Sequence, residues 1–420
     1  MSSAVKRIAS VATARGYGTL VSLITLVISA RYLGPEGRGI FVAAIAWMST
    51  FCTIFHLSIG PALQYRIQHN RAAYIAPAMV GTLLRLGLLA SLIAWAAAAL
   101  GYVVTNGSLF KGLSVEVLVL AFATLPLQIW EQYAPNLYAS LSRMNLVNRA
   151  QYIGRTVGVL VFVALVGWLQ FGVAGALVAM FIAQAVVVLS ALVPMLRSIK
   201  GKLVWLKAEI KPLIVAGLKL HPASVSALLL DQASVLIANH YLAKAEVGWF
   251  QLALQLVGLV LILPQSALMI LYGDLAKSDP ARLWPHQRKL ILRVMGVILM
   301  FALVGGLLAP YLIPLVAGAA FKPSVSMFVM LLPSLLGLSL SIMLTPQWLG
   351  RGLFMLSNSV TFMALVLVVG GTFWAVPRYG VEGVIAVRVA IYAVILPVVF
   401  AFFWRWCSRQ SNNLIASTAG

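Results

Sequence analysis

Arg31-Tyr32-Leu33-Gly34-Pro35-Glu36-Gly37-Arg38-Gly39-Ile40-Phe41 is echoed about 208 residues later by Tyr241-Leu242-Ala243-Lys244-Ala245-Glu246-Val247-Gly248-Trp249-Phe250, with Tyr, Leu, Gly and Phe in register. Other pairs recur at nearly the same offset. Leu141-Ser142-Arg143 returns as Leu349-Gly350-Arg351, Phe171-Gly172-Val173-Ala174-Gly175 as Tyr379-Gly380-Val381-Glu382-Gly383, and Leu125-Pro126 as Leu332-Pro333. A chain that repeats itself over so long a period is built from two copies of one bundle.

The copies are written in membrane composition. Hydrophobic residues make up 62% of the 420 and charged residues 9%, with a mean hydropathy of +1.00, far outside the range of soluble domains. About twelve apolar stretches are long enough to cross a bilayer core as helices: 14–33, 38–60, 76–103, 113–135, 151–169, 173–195, 213–239, 247–272, 290–317, 325–347, 355–376 and 381–404. The offset between the copies holds an even number of spans, so both halves enter the membrane in the same direction. The expectation is an all-α integral membrane protein of two parallel six-helix repeats, 1–200 and 213–420, joined by a cytoplasmic linker at 201–212. Parallel repeats of this kind leave a central cleft between bundles that can rock to face either side.

A formal net charge of +21 would suggest nucleic acid in a soluble protein; here the cations are sorted by loop. Lys6, Arg7, Arg15, Arg66, Arg71, Arg143, Arg149, Arg197, Lys200, Lys202, Lys207, Lys211, Lys277, Arg282, Arg288, Lys289, Arg351, Arg405 and Arg409 fall on one side. Arg38, Lys111, Lys244, Lys322 and Arg378 fall on the other. The positive-inside rule then places both termini in the cytoplasm, with basic loops against anionic lipid and no nucleic-acid partner. Trp168, Trp249 and Trp374 at predicted outer ends, and Trp348, Trp404 and Trp406 at inner ends, read as an aromatic belt. Two cysteines, Cys52 and Cys407, give neither a disulfide framework nor a metal site. The loops are all short, so any chemistry lies within or between helices.

The turn at 31–39 between two apolar spans, together with Phe171-Gly172-Val173-Ala174-Gly175-Ala176, resembles the polysaccharide transporter family. That family includes the O-antigen flippases and shares the multidrug/oligosaccharidyl-lipid/polysaccharide (MOP) exporter superfamily with multidrug extruders and lipid II flippases. The resemblance implies a MATE-like fold in a bacterial inner membrane and a polyprenyl-pyrophosphate-linked oligosaccharide as substrate. It also implies a polysaccharide polymerase as partner and no enzymatic step. Physically, the motifs are turns: Gly34 and Gly37 can take positive φ and Pro35 fixes its own. They identify the scaffold rather than a site.

Ionisable groups inside spans are costly and usually face a polar cavity. Arg85 sits in the middle of the third span with no acid three or four residues away; Lys219 precedes Pro222 in the seventh, and Arg388 lies in the twelfth. With Arg31 they form a cationic set suited to grip a pyrophosphate. The acids are Glu131, amid Gln128, Trp130, Gln132 and Tyr133, and Asp231, seven residues after Ser224. Glu131 is a substrate contact or a partner for Arg85. Asp231 is a candidate for Na⁺ or H⁺ coupling, or for a salt bridge to a cavity cation. Snorkelling to an interface is the alternative for Lys219 and Arg388, and the expected state of Arg155 and Arg293. Pro126, Pro222, Pro264, Pro333 and Pro397 kink their spans or serve as hinges. No cofactor is called for.

Two rival functions follow. A drug extruder of the same superfamily would favour an acidic cavity for organic cations, the opposite of this balance. A membrane glycosyltransferase or polymerase would need catalytic residues on a sizeable outer loop, and there is no nucleotide-binding glycine loop, Asp-x-Asp pair or metal-ligand spacing.

Overall fold

The computed structural model describes residues 3–69, 75–199, 201–275 and 279–419; Arg71, Lys200 and Lys277, expected among the cytoplasmic cations, lie outside them. The described chain is helical without strands, as a chain with no water to satisfy its peptide groups must be. The helices are α1 (Ser3–Phe55), α2 (Ile59–His69), α3 (Ala76–Val104), α4 (Val115–Ala123), α5 (Leu125–Ser140), α6 (Met144–Phe162), α7 (Gly172–Ser198) and α8 (Lys207–Tyr241). There follow α9 (Lys244–Val260), α10 (Ile262–Leu275), α11 (Pro280–Ala317), α12 (Pro323–Leu331), α13 (Leu335–Gly350), α14 (Phe354–Val389) and α15 (Leu396–Ala419). Nine helical stretches among the described residues are apolar and long enough to span a bilayer. Two of these, Leu20–Ile67 and Phe354–Asn412, run through glycine kinks at Gly34 and Gly380 and so hold two crossings each. The α4–α5 pair, interrupted at Thr124, supplies another, which completes the expected twelve.

The repeat is visible in the backbone, though not always where the letters put it. Gly172 and Gly380 share the left-handed conformation, with φ of 56° and 58°. The fourth span breaks before Leu125-Pro126, and the matching span breaks through a 3₁₀ turn at Leu332–Ser334. The second turn shifts register: Ser142 (φ 56°) corresponds to Gly352 (φ 69°). In one copy Arg143 N–H donates to Tyr138 O at 2.8 Å, in the other Leu353 N–H to Trp348 O at 2.9 Å. The aligned Arg143 and Arg351 therefore stand two residues apart in structural register. The first turn keeps its letters and changes its geometry. Gly34 has φ 65°, while Ala243 is extended and its N–H donates to the Glu246 carboxylate at 3.0 Å.

Two expectations for individual side chains change. Arg38, read as an outer-loop cation, is 2% exposed. Its guanidinium donates to Leu26 O (3.3 Å) and Ser29 Oγ (2.5 Å), reaching back across the Gly34 kink to the helical segment that precedes it. Trp348, read as part of the belt, is buried and stacks on Phe403 with centroids 3.6 Å apart. Cys52 and Cys407 are both buried free thiols.

The chain packs as two compact units, Met1–His240 and Tyr241–Gly420. In the first, segment 201–206 runs along α3: Val204 N–H donates to Pro77 O (3.3 Å) and Leu206 N–H to Thr82 Oγ1 (3.0 Å). Gly81 makes this approach possible, since a Cβ there would lie 2.5 Å from Val204 O. At the start of α8, Glu209 accepts two hydrogen bonds from Arg66, at 2.8 and 3.2 Å. These contacts group α8 with the first unit. The linker at 201–212 marks where the sequence copy begins, whereas the packing division marks where contacts thin. In the second unit a buried amide relay joins α11 to α13 and its cap. Gln347 Nε2 donates to Gln287 Oε1 (2.6 Å), Gln287 Nε2 to Met343 O (2.9 Å), and Arg351 Nε to Gln347 Oε1 (2.8 Å).

Candidate functional site

The polar feature inside the first unit is built on α5, α6 and α7. In α6, Gly154 and Gly158 stand four residues apart and remove the bulk between it and α7. A Cβ on Gly154 would lie 2.1 Å from Val187 Cγ2, and one on Gly158 2.7 Å from Ala183 Cβ. Small residues at this spacing let membrane helices pack backbone to backbone. The close crossing carries Gln151 of α6 and Gln184 of α7 to the half-buried Glu131 of α5. Gln151 Nε2 donates to Glu131 Oε1 at 2.6 Å, and Gln184 Nε2 donates to Glu131 Oε2. Each amide keeps a carbonyl and a second N–H for other partners. The result is an anionic centre held by neutral donors.

The neighbouring face of α6 meets α1. Tyr17 and Thr156 hydroxyls are 2.5 Å apart, the Tyr17 and Tyr152 rings lie 5.4 Å apart, and Arg155 covers Gly18, where a Cβ would be 2.0 Å from its Nη1. The missing side chain at Gly18 gives the exposed Arg155 a seat against α1. The two groups on α6 together hold a carboxylate, two amides, hydroxyls, aromatic rings and a guanidinium. Such groups hydrogen-bond and stack with polyhydroxylated ligands.

The expected site residues are placed separately. Exposed Arg85 stacks over Trp205 of the 201–206 segment, 5.1 Å from the ring centroid; its partner is an indole, not Glu131. Lys219 is exposed on α8. Asp231, also exposed, accepts from its neighbour Gln232 at 2.7 Å. Arg31 is exposed just before the Gly34 kink. In the second unit Arg388 is 7% exposed and lies over Tyr392 at 5.5 Å. No hydrogen bond or ion pair among the described residues joins any two of Arg85, Glu131, Lys219 and Asp231. The ion pair that does form, Arg66–Glu209, was not anticipated as one. Gln151 and Gln184 were also missed, although Asn148, Gln151 and Arg155 at helical spacing on an apolar span mark a polar face.

Comparison with known proteins agrees with this architecture. Residues 4–272 match the family model described as polysaccharide biosynthesis protein. Among solved structures, the chain resembles an inward-facing multidrug resistance MATE family transporter of the MOP superfamily. That match has 17% identity, 94% of this chain and 95% of that one covered, and a TM-score of 0.69. It resembles the lipid II flippase MurJ in an inward closed conformation at 14% identity, 97% and 91% coverage and a TM-score of 0.65. A MOP superfamily transporter from Pyrococcus furiosus, whose reverse binding-pocket polarity suggests a different function, matches at 16% identity, 97% and 96% coverage and a TM-score of 0.59. None of the curated proteins matches. The chain thus shares its fold with the MATE and MurJ structures, and by the family match it is a member of the polysaccharide biosynthesis protein family.

Proposed function

We propose that the protein is a flippase for lipid-linked oligosaccharide, moving a polyprenyl-pyrophosphate-linked glycan to the outer leaflet of a bacterial inner membrane by alternating access. Both termini are then cytoplasmic, and the glycan goes on to O-antigen, capsule or exopolysaccharide. Family membership over 4–272 carries the reading. The Glu131–Gln151–Gln184 group supports it as a place for sugar hydroxyls. Arg31, Arg85, Lys219 and Arg388 are the proposed ligands of the pyrophosphate, with Arg85 also steadying Trp205. The rival, a drug extruder, is disfavoured by the cationic excess.

Flipping of a fluorescent polyprenyl-pyrophosphate oligosaccharide in proteoliposomes tests this. Arg85→Ala is expected to slow it about tenfold, the loss of one charge-assisted hydrogen bond, while Trp205→Ala, which keeps the charge, slows it less than threefold. Equal loss in both variants would reduce Arg85 to a support for the 201–206 segment. Wild type that moves organic cations and no lipid-linked glycan would select the extruder.

Asp231 is proposed as the coupling site. Asp231→Asn is expected to leave flipping that no longer responds to an imposed Na⁺ or H⁺ gradient. A gradient response equal to wild type would remove that role.

A further inference from the structure

A second polar group in the first unit lies where one membrane helix is broken. α1 ends at Phe55 and α2 begins at Ile59; between them Leu57 and Ser58, neither a glycine, have φ of 51° and 50°. Consecutive left-handed residues are strained and persist only where the surroundings hold them. The surroundings here are specific. Ser58 N–H donates to His56 Nδ1 at 2.8 Å, and Tyr133 O–H donates to His56 O at 3.0 Å. Leu57 O approaches Gly217 of α8, where a Cβ would be 2.4 Å away. Ser58 Oγ is 3.2 Å from His221 Nδ1 and 3.1 Å from Ser224 Oγ, both on α8. Gly217, His221 and Ser224 share one helical face. The imidazoles of His56 and His221 stand perpendicular with centroids 5.5 Å apart, and His56 and Ser58 are 6% and 1% exposed.

The bond from Ser58 N–H fixes a chemical state. A backbone amide can only donate, so His56 Nδ1 must carry a lone pair and the ring is neutral with its proton on Nε2. We propose that His56 and His221 form a proton-binding site that fastens α8 to the α1–α2 break while the pair is neutral and releases it when a proton arrives. A proton on His56 Nδ1 turns that atom into a donor facing the Ser58 donor, and the strained turn loses the bond that holds it. A charge on one ring opposes a second charge on the other, so the pair takes up one proton first. The groups facing the pair are, from α1, Cys52, whose carbonyl accepts from His56 N–H (2.9 Å); from α5, the Tyr133 phenol; and from α8, His221 and Ser224 with exposed Lys219 two residues earlier. Glu131, two residues from Tyr133, is held by Gln151 and Gln184. No carboxylate among the described residues hydrogen-bonds or ion-pairs with either ring to offset the charge. The site is independent of the cargo and of the coupling role proposed for Asp231.

Hydrogen exchange of the full-length protein in lipid nanodiscs reads the clasp directly. After correction for intrinsic rates, amides over 56–60 are expected to exchange about tenfold faster near pH 5.5 than near pH 7.5, because a ring set free by opening takes up a proton in the ordinary imidazole range and so favours the open state. In His56→Asn, whose side-chain carbonyl oxygen takes the place of Nδ1 and accepts at either pH, the two rates should agree. Nitrogen NMR of histidine-labelled wild type gives a check that needs no variant to fold: His56 should be the Nε2–H tautomer at neutral pH and doubly protonated in acid. Equal protection of wild type at both pH values, an unchanged acid response in folded His56→Asn, or an Nδ1–H tautomer would each overturn the proposal. Because no step measures transport, failure of the glycan reading leaves this result standing.

Discussion

Gly337→Ala is expected to destabilise the second unit by about 3 kcal/mol, with the apparent unfolding temperature falling on the order of 5–10 °C. Gly337 on α13 faces the π-helical turn Ala390–Ile395, and an added Cβ would lie 2.0 Å from Tyr392 O, 2.8 Å from its carbonyl carbon and 3.0 Å from its Cα. These are backbone atoms, so no rotamer change relieves the clash; α13 or the turn must move. Tyr392 carries the ring beneath Arg388, so the displacement also disturbs that cation. Gly296→Ala is the control: nothing lies within 4 Å of its Cβ position, and alanine is the better helix former by up to ~1 kcal/mol. Thermal unfolding in nanodiscs should show a large drop for Gly337→Ala and none for Gly296→Ala. Equal stability of the two would mean that the α13 crossing is looser than described.

Glu131→Gln is the second large effect, expected to reduce flipping about 100-fold with little loss of protein. In wild type both carboxylate oxygens accept from amide nitrogens. The substitution removes the charge and turns one accepting position into an N–H₂ that faces another N–H₂. One charge-assisted hydrogen bond lost and the other reduced to a neutral one amount to ~2–3 kcal/mol, about two orders of magnitude. Proteoliposomes matched for protein content provide the measurement. Flipping within twofold of wild type would take Glu131 out of substrate recognition and leave it as a brace between α5, α6 and α7.

Much of the fold could be read from the letters because it rests on local rules. Span lengths follow from the bilayer, and Gly172 and Gly380 show their shared kink because glycine marks a positive φ in both copies. Where another residue adopts the same conformation the signal fades. Ser142 matches Gly352 in the backbone, yet the letters align it with Gly350. The reverse occurs at Gly34 and Ala243, which share a motif and differ in φ. Side-chain partners were harder. Arg38 looked like a loop cation because the reach back to Leu26 and Ser29, 12 and 9 residues earlier, is invisible before the Gly34 kink is placed. Glu131 was legible as an odd carboxylate, but its partners lie 20 and 53 residues away on helices whose contact depends on Gly154 and Gly158. The strained Leu57–Ser58 turn itself carries neither glycine nor proline, and the Gly60-Pro61 pair that follows it fell at the end of the stretch read as the second span.

The burial of both thiols has a practical side. Cys52 is 3% exposed and Cys407 0%, so aqueous maleimide dyes should pass over the native cysteines. A single cysteine placed at an exposed position between spans, such as Ser108, would then report alone, without a cysteine-free background. Spectroscopic distances could be recorded on a chain that differs from the natural one only where the labels sit.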